Sequence, residues 1–279
     1  MRIQPNRHDL INLTASWQGD RSEDGRPRVA DSVLDRLRLV KSEHAWHVLD
    51  AAGYPYQFVG GWKCTRTGEN LVGRAVTSQF LPSRPDYDAA VVAAGLVEGH
   101  VEGDRQNTWI VESLRTGDVM VTDIFGKIIE GTVIGDNLGT AVAVRTGVGA
   151  VIDGGVRDLD GLTRLTGANF YYRDTDPTPI RNVVLAGINI PIRIAGVTVL
   201  PGDVVLGTAS GVTFIPPQLA EEVAAAAEVI DRRDAFGKSM LAQGAYTTAD
   251  IDVPVWPKAI EQHFAQWCAE QSVNVRTVR

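Results

Sequence analysis

Cysteine is almost absent from this 279-residue chain, which has only Cys64 and Cys268. Two thiols so far apart, in no ligand-type spacing, exclude a disulfide framework and give no zinc site; they suit a reducing, cytoplasmic setting. No run of Lys or Arg is long enough to track a phosphate backbone. With 27 basic against 34 acidic residues the net charge is −7, so nucleic acid is not an expected partner. Long apolar runs are missing as well. The opening Met-Arg-Ile-Gln-Pro-Asn-Arg-His has no apolar signal core, and no later stretch approaches the roughly 20 apolar residues of a membrane span; neither secretion nor membrane insertion is expected. There is no Gly-x-Ser-x-Gly elbow for a serine hydrolase. Neither a Walker loop nor a Gly-x-Gly-x-x-Gly follows a strand, which removes support for nucleotide binding.

What the chain does have is 44% hydrophobic and 22% charged residues, the makeup of one globular domain with extensions. Residues 1–28 are polar, rich in Arg, Asp and Gly, and too poor in apolar surface to fold alone; they read as an arm. Residues 29–245 hold the periodic segments, and 246–279 read as a helical extension. Val33, Leu34 and Leu37 mark a first helix. Ser42 is placed as the cap of a second, whose Ala45, Val48, Leu49 and Ala52 follow helical spacing until Gly53 stops it. From Gly60 to Phe80 the pattern turns strand-like, most regularly over 71–77. Beyond Pro191, short alternating runs broken by Gly and by Pro201-Gly202-Asp203 predict antiparallel strands. Pro217 opens a helix carrying Leu219, Val223, Ala226 and Ile230, and Pro257 opens another carrying Ile260, Phe264, Trp267 and Cys268. Both apolar faces are expected to pack on a neighbouring subunit.

The middle of the chain carries the chemistry. Residues 118–124 read as a buried strand, 126–135 as a loop, and Leu138, Ala141, Val142 and Arg145 as a helix that Gly147 ends. Residues 148–152 form a second strand, and 158–166 a short helix closed by Gly167. Strand, helix, strand, helix predicts parallel strands with a right-handed crossover, so both helix starts fall at one carboxyl edge of the sheet. Asp136 stands at the first start; after twenty intervening residues, Arg157 and Asp158 stand at the second. First-turn amides of Asn137, Leu138 and Gly139 can aim at an anion. Arg157 can add two parallel N–H bonds to the same carboxylate. Asp136 and Asp158 can hold Mg²⁺ or Mn²⁺ through direct or water-filled contacts, and Gly154 and Gly155 let backbone pass close by. Against this stand simpler roles: helix caps for the acids and a surface ion pair for Arg157. Asp153 and Asp160 read as structural. Glu43, His44 and His47 lack a further zinc ligand and read as a helix face. Lys127 could form a Schiff base if desolvated, though a solvated loop lysine explains it better, and Tyr171, Tyr172 and Arg173 read as packing residues beside a pocket.

The stretches Gly135-Asp136-Asn137-Leu138-Gly139-Thr140 and Gly149-Ala150-Val151-Ile152-Asp153-Gly154-Gly155-Val156-Arg157-Asp158 resemble the core of the RraA-like family. So do residues 71–77, Pro201-Gly202-Asp203, Gly211-Val212 and Ile215-Pro216; the resemblance spans roughly residues 35–245. That family contains class II 4-hydroxy-4-methyl-2-oxoglutarate aldolases and regulators of ribonuclease activity. The resemblance implies a three-layer β/β/α fold, assembling as a homotrimer or homohexamer, with its site near a subunit boundary. It implies that Asp158 ligates a divalent metal, Asp136 orients the metal's waters, and Arg157 binds and polarises a pyruvyl group. The backbone at Gly135, Asn137 and Leu138 would take the substrate carboxylate, and Glu228 or Asp234 would complete a neighbouring subunit's site. The implied activity is metal-dependent retro-aldol cleavage of a 4-hydroxy-2-oxo acid, or decarboxylation of an oxaloacetate-like acid. The regulators lack the final acid of the pattern, which this chain keeps as Asp158; the alternative implied by the resemblance is a non-catalytic protein that binds a ribonuclease. The chain departs from the family at Thr208-Ala209-Ser210, where acids are frequent, and in its longer arm and tail.

Overall fold

The computed structural model describes residues 1–101 and 105–276, and the chain divides into two units, Met1–Ala224 and Ala225–Arg279. The first unit opens with helices α1 (Arg7–Leu13), α2 (Asp31–Leu37) and α3 (Ser42–Ala51) and short strands β1 (Phe58–Val59) and β2 (Lys63–Cys64). Then come β3 (Leu71–Pro82), α4 (Pro85–Val97), α5 (Gln106–Ser113), β4 (Asp118–Asp123), α6 (Asp136–Thr146), β5 (Gly149–Val156), α7 (Leu159–Arg164) and β6 (Asn169–Thr175). It closes with β7 (Val183–Ile188), β8 (Ile192–Ile194), β9 (Val197–Val199), β10 (Val204–Gly207) and β11 (Val212–Ile215). Past a 3₁₀ turn at Pro217–Leu219, α8 (Ala220–Ala242) leads into the second unit, which adds α9 (Thr248–Ile251) and α10 (Lys258–Arg276). Pro217 thus starts the 3₁₀ turn, one turn ahead of the α-helix expected there.

Among the described residues nine strands form the main sheet, in the order β1-β11-β10-β3-β4-β5-β6-β2, with β7 pairing on β3. Strands β3 to β6 run parallel, and the remaining strands join antiparallel. Every residue of β4 and β5 is buried, which requires cover on both faces. Met120, Ala150 and Ile152 join a core with Ile110, Val142 and Leu162 of the helices. Val119, Val121 and Val151 instead meet Ile192, Ile194, Val197 and Val199 of the β8–β9 hairpin. Sheet, hairpin and helices make the β/β/α layering that the family resemblance implied.

Local signals behave as expected at Gly147, which ends α6 in the left-handed conformation with φ 66°. Ser42 does not cap α3: the cap position is Lys41, and Ser42 Oγ lies 2.7 Å from Thr208 Oγ1 instead. Residues 1–28 are folded into the first unit, with Ile3 and Leu10 at 0% and 1% exposure. Part of the apolar surface of the C-terminal helices packs within the second unit. Phe236, Met240, Trp256 and Ile260 form a core of their own, with Phe264 and Trp267 packed against it.

Asp203, in the turn between β9 and β10, is 5% exposed, and its Oδ2 accepts a hydrogen bond from Leu200 N at 2.8 Å. Burial outweighs that bond and pushes its carboxyl up to about 7. A folded value above the unfolded one, near 3.9, gives a contribution fully present below about pH 3.9 and lost as pH rises through about 7. Asp203→Asn keeps the shape without the charge. Its stability relative to the parent is expected to rise between pH 4 and pH 8, by at most about 4 kcal/mol. Parallel curves of melting temperature against pH for the two proteins would refute this.

Candidate functional site

The loop after β4 closes the twenty-residue gap between the two acids. Val133 N donates to Gly155 O and Arg157 N donates to Ile134 O, both at 3.1 Å, while Thr132 forms a parallel bridge with Gly155. This pairing extends the sheet by one short segment and delivers Gly135-Asp136 alongside Arg157-Asp158 at the carboxyl edge, the usual ligand edge of such a sheet. Gly154 and Gly155 permit the approach. A Cβ at 154 would stand 2.1 Å from Ile124 Cγ2, and Gly155 N donates to Lys127 O and Gly131 O at 3.0 and 3.2 Å. What passes close to these two glycines is the 124–131 loop.

Each acid rests on a glycine beside the other. A Cβ at Gly135 would lie 2.3 Å from Asp158 Oδ2 and 3.1 Å from Arg157 Nε; one at Gly161 would lie 2.5 Å from Asp136 Cβ and 2.9 Å from its Oδ2. Neither carboxylate caps its helix. The cap position of α6 is Gly135, with Asp136 following as the first helical residue. Asp158 does occupy the cap position of α7, but with φ 53° and no side-chain bond to the helix. That left-handed backbone is uncommon outside glycine, and Asp and Asn are among the residues that tolerate it best. Arg157 Nε lies 3.5 Å from Asp158 Oδ2, with the two side chains 40% and 45% exposed. Among the described residues, no hydrogen bond or ion pair engages the Asp136 carboxylate.

Together they border a cleft of about 220 Å³, with Gly135–Leu138 on one wall, Arg157 and Asp158 on another, and Arg105, Asn107, Thr132 and Pro179 completing it. The first-turn amides of Asp136, Asn137 and Leu138 have no helical carbonyl to serve. Gly139 N already donates to Gly135 O at 2.8 Å, so the expectation that it also offers a free amide is corrected. Two carboxylates free of capping, one seated in a cradle that a Cβ would fill, are a hard-oxygen donor set suited to a divalent ion that keeps part of its water shell. Asn107 was not legible as a site residue. It is 4% exposed, its Nδ2 donates to Val133 O at 2.6 Å, and its Oδ1 is buried without a partner among the described residues. Only its position as an amide before the apolar Trp109-Ile110-Val111 run set it apart.

The other candidates lie elsewhere. Lys127 does not line the cleft and sits 3.9 Å from Glu130. Asp153 accepts from Arg173 Nε at 2.6 Å and from Ala195 N at 3.1 Å, holding β5, β6 and the hairpin together. Tyr171 and Tyr172 are buried, and Arg173 stacks 3.6 Å over Trp62. Glu43 and His47 are exposed while His44 is buried, so the three do not share one face. Glu228 and Asp234 lie on α8 within the second unit, where Asp234 Oδ2 accepts from Lys238 Nζ at 3.3 Å.

Residues 45–214, more than half of the chain, match the family model described as RraA-like, Aldolase/RraA. A protein of Halalkalibacterium halodurans named as a putative 4-hydroxy-4-methyl-2-oxoglutarate aldolase is 36% identical over 110 residues, 38% of this chain and 50% of that protein. Protein DlpA of Legionella pneumophila is 27% identical over 244 residues, 86% of this chain and 34% of that protein. The chain therefore spans about half, or a third, of the length of these curated relatives. A solved protein from Pseudomonas syringae pv. tomato superposes with a TM-score of 0.66 at 24% identity, over 85% of this chain and 98% of that one. Streptomyces coelicolor RraAS2, described as an unusual member of the RNase ES inhibitor RraA family, gives 0.64 at 24% identity, over 76% and 98%. At that identity these two likenesses concern the fold. Among the described residues no helix is long and apolar enough to cross a membrane. The chain belongs to the RraA-like family.

Proposed function

We propose that this protein is a carbon–carbon lyase of small 2-oxo acids that works with a divalent metal ion, Mg²⁺ or Mn²⁺. The observation that carries the reading is the seating of Asp158 and Arg157 over Gly135, beside Asp136 and the free amides of α6. The aldolase named among the relatives supports the same chemistry. Asp158 and Asp136 would hold the ion, which supplies Lewis-acid polarisation of the 2-oxo group. The amides of Asn137 and Leu138 take the substrate carboxylate, and Arg157 adds two N–H bonds and positive potential where negative charge develops. In the cleavage direction the C3–C4 bond of a 4-hydroxy-2-oxo acid breaks, and its electron pair moves onto C3 and the 2-oxo oxygen. The C4 hydroxyl gives up its proton to become a carbonyl, and C3 takes a proton to complete a pyruvate-type product. Asp136, with no protein partner for its carboxylate among the described residues, is the proton carrier in this scheme. Decarboxylation of an oxaloacetate-like acid would use the same groups, with carbon dioxide leaving in place of the aldehyde or ketone.

A panel of 4-hydroxy-2-oxo acids and oxaloacetate, assayed by coupled detection of pyruvate, tests this. Turnover of at least one acid is expected, abolished by chelator and restored by Mg²⁺ or Mn²⁺. Turnover that survives chelation and is trapped by borohydride with substrate would instead point to a Schiff base. A blank across the panel together with stable binding of a ribonuclease would replace the lyase by the regulator.

A further inference from the structure

At the opposite end of β4 from the cleft, roughly 17 Å away along a six-residue strand at about 3.3 Å per residue, five arginines line one cavity of about 280 Å³. They are Arg21, Arg26, Arg28, Arg74 and Arg115. Arg26 and Arg74 are 2% and 3% exposed. Arg26 is fully matched, donating to both oxygens of Asp118 at 3.1 and 3.2 Å and to Asp24 at 2.8 Å. Arg74 donates through Nε and Nη2 to Val29 O and pairs with Asp31. The outer cations are matched more loosely. Arg28 shares Asp31 at 3.1 Å, and Arg115 meets Glu23 at 3.0 Å; those two acids are 67% and 82% exposed. Arg21 donates to Thr14 Oγ1 and to the carbonyls of Thr14, Trp17 and Gly25, and none of these oxygens is charged.

Among the described residues four carboxylates therefore face five guanidiniums, and the Arg28–Asp31 and Arg115–Glu23 pairs are surface pairs worth about 0–1 kcal/mol each. Such acids can be exchanged for a ligand. An anion with several oxygens could engage Arg28 and Arg115 at once and take the place of Asp31 at Arg74 Nη2, while Arg74 keeps its bonds to Val29 O; Glu23 and Asp31 each reach only part of this set, and guanidinium geometry suits phosphoryl and carboxylate groups alike. The net charge of −7 opposes general adsorption of anions, so retention would have to come from this cavity. We propose that the cavity is a binding site for a small multivalent oxyanion, a phosphoryl or polycarboxylate group, separate from the cleft, which on occupation ties residues 21–28 to the start of β3 and β4.

The test is calorimetric titration and thermal melting of the full chain with inorganic phosphate and with citrate, at ionic strength held constant with sodium chloride. Saturable binding of one anion per chain is expected, with a melting temperature that climbs with ligand concentration. Saturation by phosphate alone assigns a phosphoryl ligand, and saturation by citrate alone assigns a polycarboxylate. The paired exposed substitutions Arg28→Gln and Arg115→Gln should weaken binding at least tenfold. Glu23→Gln, which removes a competing acid, should tighten it severalfold, an outcome that a purely structural role for these residues does not produce. Arg157→Ala serves as the cleft control and should leave binding unchanged. The proposal is overturned if no saturable binding is seen, if the Arg28/Arg115 variant responds as the parent does, or if Arg157→Ala alone removes the binding.

Discussion

Asp158→Asn is expected to lower turnover of the preferred 2-oxo acid by about 10²–10³-fold, the scale for removing one strategically placed charge or donor, while the melting temperature stays close to that of the parent. The two halves of that result rest on different observations. Asparagine accepts the left-handed backbone of residue 158, where φ is 53°, at least as readily as aspartate, so the substitution adds no strain. The ion pair lost with the charge is long, 3.5 Å, between side chains 40% and 45% exposed, and such pairs contribute about 0–1 kcal/mol. Loss of function without loss of stability is therefore the signature of a residue held for chemistry. A melting temperature that falls in step with activity would return Asp158 to a structural role.

Two companions sharpen the reading. Arg157→Lys keeps the positive charge but not the parallel pair of N–H donors, and losing one charge-assisted bond of roughly 1.5–3 kcal/mol predicts a drop of about tenfold to a hundredfold. Gly135→Ala leaves every functional group in place. Its backbone, at φ −117° and ψ −164°, suits alanine, yet the new methyl would sit 2.3 Å from Asp158 Oδ2. The carboxylate must swing away, so activity and divalent-ion affinity should fall together while the fold persists.

The sequence made the parallel core legible because its signals are local and agree with one another. The buried 118–124 run, the helical spacing of Leu138, Ala141 and Val142, and the stop at Gly147 all point the same way, and a parallel crossover then forces both helix starts to one edge. The means of convergence was not legible. The bonds from Val133 N to Gly155 O and from Arg157 N to Ile134 O run through main chain, on which side-chain pattern is silent. Helices α4 and α5 escaped notice for a related reason: the Ala- and Val-rich α4 spreads its apolar residues around its circumference, with Val91 buried but Val92, Leu96 and Val97 exposed, so it shows no stripe. Asn107 was hidden by its partners, since an amide becomes informative only once Val133 O is seen to hold its Nδ2 and, among the described residues, no group holds its Oδ1. In the C-terminal helices the spacing of Ile260, Phe264 and Trp267 made an apolar face legible, and the structure packs these three in or against a local core; a stripe states that something covers it without stating what.

The N-terminal segment shows how far composition alone can mislead about packing. Residues 1–28 carry too little apolar surface to fold alone, yet Arg26 is among the most deeply buried large side chains of the first unit, held by Asp118, 92 residues further along, and by Asp24. Burial by itself would weaken its charge, but the two carboxylates more than offset this and hold the guanidinium above its ordinary range. Arg26→Met fills much of the same volume but leaves Asp118, 4% exposed, as a buried charge stripped of its main partner, for which the expected cost is about 3–5 kcal/mol. At about 2–4 °C per kcal/mol for chains of this size, the first unit's melting temperature should fall by roughly 10 °C. Pairing it with Asp118→Leu removes the stranded charge, and the double variant is expected to recover most of the loss, because a buried ion pair contributes little over a well-packed apolar pair. If the double variant melts as low as Arg26→Met alone, the single variant's loss comes from packing and main-chain contacts, including the long bond to Ala75 O at 3.4 Å, and the electrostatic account of how this segment is fastened to the sheet fails.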